Sequence, residues 1–318
     1  MVTANGGDYD NDNPYLVQTP LQLMNIDKGL GLNYRQAVNL DMSTLTLDQA
    51  GTTFGGIGAT VPNTGAFTGT YDGNGFLISH LEVTGPGLFV TNNGILQNIR
   101  IYTGTIDAAG QNYAGALAGT NNGTIVACIN EAQITGAATT AGGICGLNGA
   151  DGLVIGSLNT GTILSAVNAG GICGENQSTT EAAITSCLNT GMLNSGATLL
   201  GGIVGTSTET TTTVVHAAFW LVGSAEKGVN GTEVAVGSNN LGALDSSALD
   251  PIELRTVPDP NAEIPNELLP ITRLNREMGV SHSNWAALYE FENNSTANQG
   301  PGEDINGISW PTPVKKQP

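Results

Sequence analysis

Basic residues are scarce in this sequence: nine Lys plus Arg stand against 27 Asp plus Glu over 318 residues, a formal charge of -18 at pH 7. A surface of that sign repels phosphate backbones and anionic lipid, which argues against nucleic acid as a partner. Charge of either sign is thin, at 11 % of the chain, while hydrophobic residues reach 40 %. Disorder needs the opposite balance, so a folded chain rich in turns is expected. No run approaches the roughly 18 apolar residues of a bilayer span. The opening "MVTANGGDYDNDNPY" lacks the basic start and apolar core of a signal peptide. Two readings follow, a cytosolic protein or an exported one whose signal has been removed. Also missing are HExxH, GxSxG, a glycine loop carrying a phosphate-binding Lys, and any CxxC pair.

Glycine is abundant instead, 45 residues, and it is patterned. "AGGICGLNGADGLVIGSLNTGTI" begins at Ala141, "AGGICGENQSTTEAAITSCLNTGML" at Ala169, and "LGGIVG" at Leu200. Aligning on these phrases stacks Leu88, Leu117, Ile144, Ile172 and Ile203 at spacings of 29, 27, 28 and 31. Ile106, Ile134, Ile163 and Leu193 form a second column, and Ile101, Ile129, Leu158 and Leu188 a third, both at spacings of 28, 29 and 30. One unit is therefore repeated about five times between positions 85 and 220.

Between these columns the segments are short, alternating and broken by Gly and Asn, the signature of strands of a few residues joined by turns. A lap of about 28 residues holds three such strands, each pairing with its counterpart about 4.8 Å above and below. The fold expected is an all-β, right-handed parallel β-helix, the hand taken from the general preference of parallel crossovers. Gly143, Gly146, Gly171, Gly174, Gly202 and Gly205 are expected to turn corners at positive φ, so that Ile144, Ile172 and Ile203 point inward and stack. Asn130, Asn159 and Asn189 share a column. They either bond to one another along the axis or face water as turn residues.

Such an array needs caps. "QTPLQLMNIDKGLG" offers one, with Thr19 as N-cap, Pro20 at the first helical position and Leu21, Leu23, Met24 and Ile26 on one side. "NELLPITRLNREMG" offers another, with Leu268, Ile271, Leu274 and Met278 on one face, expected to pack with Trp285, Leu288 and Phe291. The organisation expected is an acidic N-terminal tail (1–14), an N-terminal cap with first coils (15–84), the repeats (85–223), and a C-terminal cap with a short helix and a Pro-rich tail (224–318).

The phrases "GGICG", "GGICG" and "GGIVG", followed by "INEAQI", "LNTGTI" and "LNTGML", resemble the GLUG-motif repeats of surface proteins found in gut Bacteroidota. The lead-in "FTGTYDGNGFLISHLEV" and then "GLF" extends the likeness over about 15–223. The resemblance implies a secreted or surface-anchored β-solenoid, often an adhesin of unknown ligand, and carries over no catalytic residue. This sequence departs from the pattern at Val90 and Ala116, where glycine is the rule. GLUG-like repeats also accompany some immunoglobulin-cleaving metallopeptidases, whose HExxH is absent here.

Candidate chemistry is sparse. A glycan-cleaving β-helix needs carboxylates converging on one face, whereas Asp107, Glu131, Asp151, Glu175, Glu181, Glu209 and Glu226 fall in different columns. His80, His216 and His282 are isolated. Cys145 and Cys173 share a column at a separation a disulfide can span, although stacked neighbours rarely meet its torsion. A ladder of buried free thiols is the competing reading, while Cys128 and Cys187 lie two coils apart. The Asp8–Asp12 run could hold calcium but lacks the glycine and distal glutamate of an EF-hand. Trp220, Trp285, Tyr289 and Trp310 either stack on sugar rings or fill a capping core. No metal and no cofactor are expected. The function expected is a non-catalytic extracellular or cell-surface module that recognises glycans or surface proteins. A glycan-cleaving enzyme on the same scaffold and a purely structural stalk stay open.

Overall fold

The computed structural model describes residues 13–45, 53–59, 64–136, 138–164, 166–193, 197–207, 215–221, 247–249, 270–293 and 311–316. The Asp8–Asp12 run, Glu209, Glu226, Leu268 and Trp310 lie outside them.

The short alternating segments are strands, and they pair across laps. One eight-stranded sheet runs from Tyr15–Val17 through Thr70–Asp72 and Thr124–Val126 to Val215–His216. A second runs from Leu40–Asp41 through Ile129–Asn130 to Phe219–Leu221 and Ser247–Leu249. Sheets of five, four and three strands close the remaining sides. Every pairing in these sheets is parallel; the one antiparallel pair among the described residues joins Tyr289–Asn293 to Pro311–Lys315. The middle of the chain is a parallel β-solenoid. Its first column is as read from the spacing: Leu117 N donates to Ile144 O at 3.0 Å, Ile144 N to Ile172 O at 2.9 Å and Ile172 N to Ile203 O at 2.9 Å. All four residues are fully buried, each stabilising the stack by roughly 1.5–3 kcal/mol. In the first laps aromatics fill the same axis, with Tyr34, Phe67 and Phe89 following one another at ring separations of 6.4 and 5.0 Å.

The N-terminal helix forms as its capping residues dictate. It spans Pro20–Met24, Gln22 N donates to Thr19 Oγ1 at 3.2 Å, and Thr19 N donates to Gln22 Oε1 at 3.1 Å. This reciprocal pair satisfies two helix-start donors, and the fully buried Leu23 and Ile26 join the solenoid core.

The glycine phrases serve a different purpose from the one expected. None of Gly143, Gly146, Gly171, Gly174, Gly202 and Gly205 has positive φ. What they lack is room. A Cβ on Gly143 would overlap the Asn159 carboxamide, one on Gly171 that of Asn189, and one on Gly202 the Trp220 indole. A Cβ on Gly146 would strike the backbone of Ala114 one lap below. Backbone meets backbone or a buried side chain at van der Waals distance, which only glycine permits. The left-handed turn lies elsewhere, between the two eight-stranded sheets, where Asn98, Ala127, Gly156, Ser186 and Ala217 stack with φ of 51°, 53°, 55°, 54° and 44°. Only one is glycine. Lap-to-lap bonds hold the others there, including Ala127 N to Ile155 O at 3.0 Å and Ser186 N to His216 O at 3.0 Å.

The third apolar column is out of register by one residue at its first member. Ile101 pairs with Asn130, and Ile129 with Arg100. Since strand side chains alternate, the slip changes faces. Ile78, Ile101, Asn130, Asn159, Asn189 and Trp220 form an inward column, and Arg100, Ile129, Leu158, Leu188 and Phe219 an outward one. The three asparagines are fully buried and make the axial ladder: Asn130 Nδ2 donates to Asn159 Oδ1 at 2.9 Å and Asn159 Nδ2 to Asn189 Oδ1 at 2.8 Å. Each Oδ1 also accepts from the backbone two residues on, as Asn130 does from Ala132 N at 2.9 Å. A second ladder, Asn92, Asn121, Asn148 and Asn176, links at 2.8, 2.9 and 3.0 Å. It lies four positions after the Leu88 column.

Cys145 and Cys173 are register partners with free thiols, and Cys128 and Cys187 flank Ser157 in another buried row. Burial pushes the Cys128 and Cys187 thiols up to about 12, so they act as small core residues rather than nucleophiles.

Two substitutions separate packing from conformation. Gly171→Ala is expected to destabilise the protein by about 1–3 kcal/mol through overpacking against Asn189. Gly279→Ala, on an exposed helix position where a Cβ meets nothing within 4 Å, should stabilise by up to about 1 kcal/mol. Urea denaturation of both variants checks the pair. Asn159→Ala removes the middle rung and takes from the buried Asn130 Nδ2 its acceptor and from Asn189 Oδ1 its donor; a loss of about 2–4 kcal/mol is expected in the same experiment.

Candidate functional site

The outward faces of the two eight-stranded sheets decide where a site can form. On the second sheet Ile129, Leu158, Leu188 and Phe219 make an apolar strip. The Pro270–Ser281 helix lies along it, burying Ile271 and Leu274 with Phe291 against that strip. Met278 and Tyr289 pack on Val126, Ala127 and Ile155 of the neighbouring sheet. The expected C-terminal cap is therefore a clasp along the flank. Polar contacts set its register: Ser186 Oγ donates to Leu274 O at 2.7 Å, Asn275 bonds both the N–H and C=O of Phe291 at 2.6 and 3.0 Å, and Arg273 Cζ sits 4.6 Å from the Phe219 ring centroid.

Two histidines lie at the contact between clasp and solenoid, His216 on the solenoid and His282 on the clasp. His216 Nδ1 lies 3.1 Å from Glu277 Oε1, which also accepts from Ser281 Oγ at 2.5 Å, and His282 Nε2 lies 3.0 Å from Ala182 O. The His216 and Glu277 side chains are buried at the helix–sheet contact, so this trio fastens the helix instead of meeting a substrate. His80, the third histidine, is exposed and pairs with Asp41 Oδ1 at 2.9 Å.

The outward column of the first sheet reads Arg35, Asp72, Gln97, Val126, Ile155, Thr185 and His216. It is polar in the early laps and apolar where the clasp covers it. At the boundary a cleft of about 270 Å³ opens, with Trp285 and Leu288 of the clasp on one side and Arg35, Asp72 and Gln97 of the solenoid on the other. Arg35 Nε is 3.3 Å from Asp72 Oδ2, and Lys315 Nζ is 4.0 Å from the same oxygen. Asp72 is buried and its second oxygen accepts from Asn74 N at 2.8 Å. Trp285 is half-buried, its ring 6.4 Å from that of the buried Tyr289. Leu288, expected in the packed unit, is 45 % exposed. Trp220 and Tyr289 are core residues, whereas Trp285 lines the cleft together with Tyr34.

The acids named from the sequence stay apart from one another, although Glu82 lies diagonally across from Asp107 on the three-stranded sheet. Asp107 stacks between Thr84 and Thr135, Glu175 between Leu147 and Thr206, while Asp151 and Glu181 are exposed in turns. Glu131 differs: burial pushes its carboxyl up to about 8, against the opposing pull of Arg100. It is a proton donor at neutral pH, and no group of three or more His, Cys, Asp or Glu side chains placed to hold a metal exists among the described residues. No helix among them is long and apolar enough to cross a membrane.

The class this architecture defines is the parallel β-solenoid, here with a helical clasp on its flank. No family model matches the chain, so the likeness to GLUG repeats rests on the quoted phrases. Over 154 residues, 45 % of its length, the chain is 33 % identical to halomucin of Haloquadratum walsbyi, of which that stretch is 2 %. A crystal structure from Bacteroides ovatus, named as a candidate immunoglobulin A1 protease, superposes with a TM-score of 0.55 at 14 % identity, covering 98 % of this chain and 95 % of that one. At that identity the likeness concerns the fold.

Glu131 gives the pH test. Its folded-state value lies above the ordinary one near 4.5, so the folded protein holds a proton that the unfolded chain has released. That contribution is complete below about 4.5 and is lost as pH rises to about 8. The melting temperature should fall across this window, and Glu131→Gln should flatten the fall.

Proposed function

We propose that this chain is a non-catalytic recognition module of an extracellular or cell-surface protein, binding glycans or the surface proteins of another cell. The observation that supports it best is the ordered polar face of the three-stranded sheet. Glu82, Thr105 and Gln133 form one outward column, and Thr84, Asp107 and Thr135 the next. Laps about 4.8 Å apart set these hydroxyls, amides and carboxylates in a rigid grid, and a rigid grid loses little entropy on binding an extended polar ligand. Glu82 and Asp107 are diagonal neighbours on this face, about 7–8 Å apart; that spacing also suits a carboxylate pair for hydrolysis, so the binding experiment also looks for cleavage. An external setting agrees with a solenoid neighbour named for an immunoglobulin substrate and with the halomucin likeness.

A glycan array with the purified chain tests the reading. Saturable binding to one sugar class, with the bound glycan recovered intact by mass spectrometry, is the expected result. Cleaved products would replace it with the enzyme reading, and silence against every glycan and against whole cells would leave a stalk.

A further inference from the structure

We propose that the cleft between Trp285 and Arg35 is a subsite for one acidic pyranose residue, a sugar ring bearing a carboxylate. This rests on the recognition reading and gives it a place and a ligand class.

Charge is the first argument. The chain carries 27 acids and nine basic residues, yet here two cations, Arg35 in the lining of the cleft and Lys315 beside it, face the single acid Asp72. Arg35 and Lys315 share one carboxylate, that of Asp72. Both cations are partly exposed, at 39 % and 44 % of their side chains, whereas the acid between them is 3 % exposed. The buried Asp72 holds the two cations and leaves one positive charge in excess beside the cleft, with Lys315 just outside its lining. Arg35 meets Asp72 through Nε, and the outer edge of a guanidinium is a fork that matches a second carboxylate.

Shape is the second argument. A cleft of about 270 Å³ lies just below the range of drug-sized sites, which begins at about 300 Å³, and suits a single ring. Trp285 and Leu288 supply an apolar wall. An indole face packs against the C–H face of a pyranose while the ring hydroxyls point away, here toward the Gln97 amide on the opposite wall. Neither wall is accidental: the clasp that buries Tyr289 carries Trp285, and lap register brings Arg35, Asp72 and Gln97 into one column. A neutral sugar would satisfy the indole and leave the excess positive charge without a partner. A small carboxylic acid without a ring would do the reverse.

The test is titration of the full chain with trigalacturonate, with galactotriose as the neutral counterpart and with free galacturonate, followed by tryptophan fluorescence and calorimetry. The acidic trisaccharide should bind at least ten times more tightly than the neutral one, and free galacturonate should compete. Trp285→Ala and the milder Trp285→Phe, both checked for an unchanged melting temperature, should weaken binding tenfold and about threefold. Lys315→Gln, which leaves the Arg35–Asp72 pair in place, should narrow the gap between acidic and neutral sugars. Equal affinity for both trisaccharides, acid binding that survives Trp285→Ala, or no response to any of the three sugars overturns the subsite. Array binding that persists in Trp285→Ala would remove the subsite and leave recognition elsewhere on the solenoid standing. Silence of the wild type against both the array and whole cells removes the recognition reading, and the titration then decides the cleft alone.

Discussion

Parallel hydrogen bonding between laps governs everything else in this molecule. Each strand takes its donors and acceptors from the laps above and below, so a residue's neighbours are set by register rather than by sequence. A residue type suited to one column position is suited to all of them, and unsuited neighbours cannot be avoided by local rearrangement. Ile144, Ile172 and Ile203 stack for this reason. So do the buried asparagines, whose carboxamides each donate to the next and accept from their own turn. A lone buried Asn would leave polar groups unmet; in a column the repeat satisfies them.

The same constraint explains the glycines. Sheets that turn this sharply bring backbone against backbone, and at Gly142, Gly146, Gly170 and Gly174 an added carbon would strike the strand of the neighbouring lap. The cost of positive φ is carried by a different column, Asn98 to Ala217, where lap-to-lap bonds on both sides hold residues that would not choose it alone. Tight packing and unusual backbone geometry are thus separated onto different corners.

The clasp converts a uniform stack into something with position. Along the outward column from Arg35 to His216, composition changes from polar to apolar to polar, and the Pro270–Ser281 helix and its following strand cover the middle. At the lower limit of that cover the cleft forms, with charge on the solenoid side and an indole on the clasp side. At the other limit the buried His216 and Glu277 close the contact. What distinguishes one lap from another in function is therefore set by where the clasp ends.

Much of this was legible in the order of residues. Periodicity alone identified the laps, because a stack needs the same residue types at the same interval, and Thr19 and Pro20 announced the helix start through chemistry confined to one turn. The ladder from Asn92 to Asn176 is equally visible, four positions after the Leu88 column. The slip at Ile101 was not legible: spacings of 28 and 29 look alike in a list, but strand alternation makes one residue the difference between core and surface. Nor could spacing tell a glycine that needs left-handed backbone from one that needs space. Arg35 and Trp285, 250 positions apart, meet only because a helix that reads as amphipathic from any viewpoint found one particular apolar strip. Local rules and repetition determine the solenoid, since both act within a lap or between identical laps; the cleft is a contact between unlike parts, and only the tertiary structure could decide it.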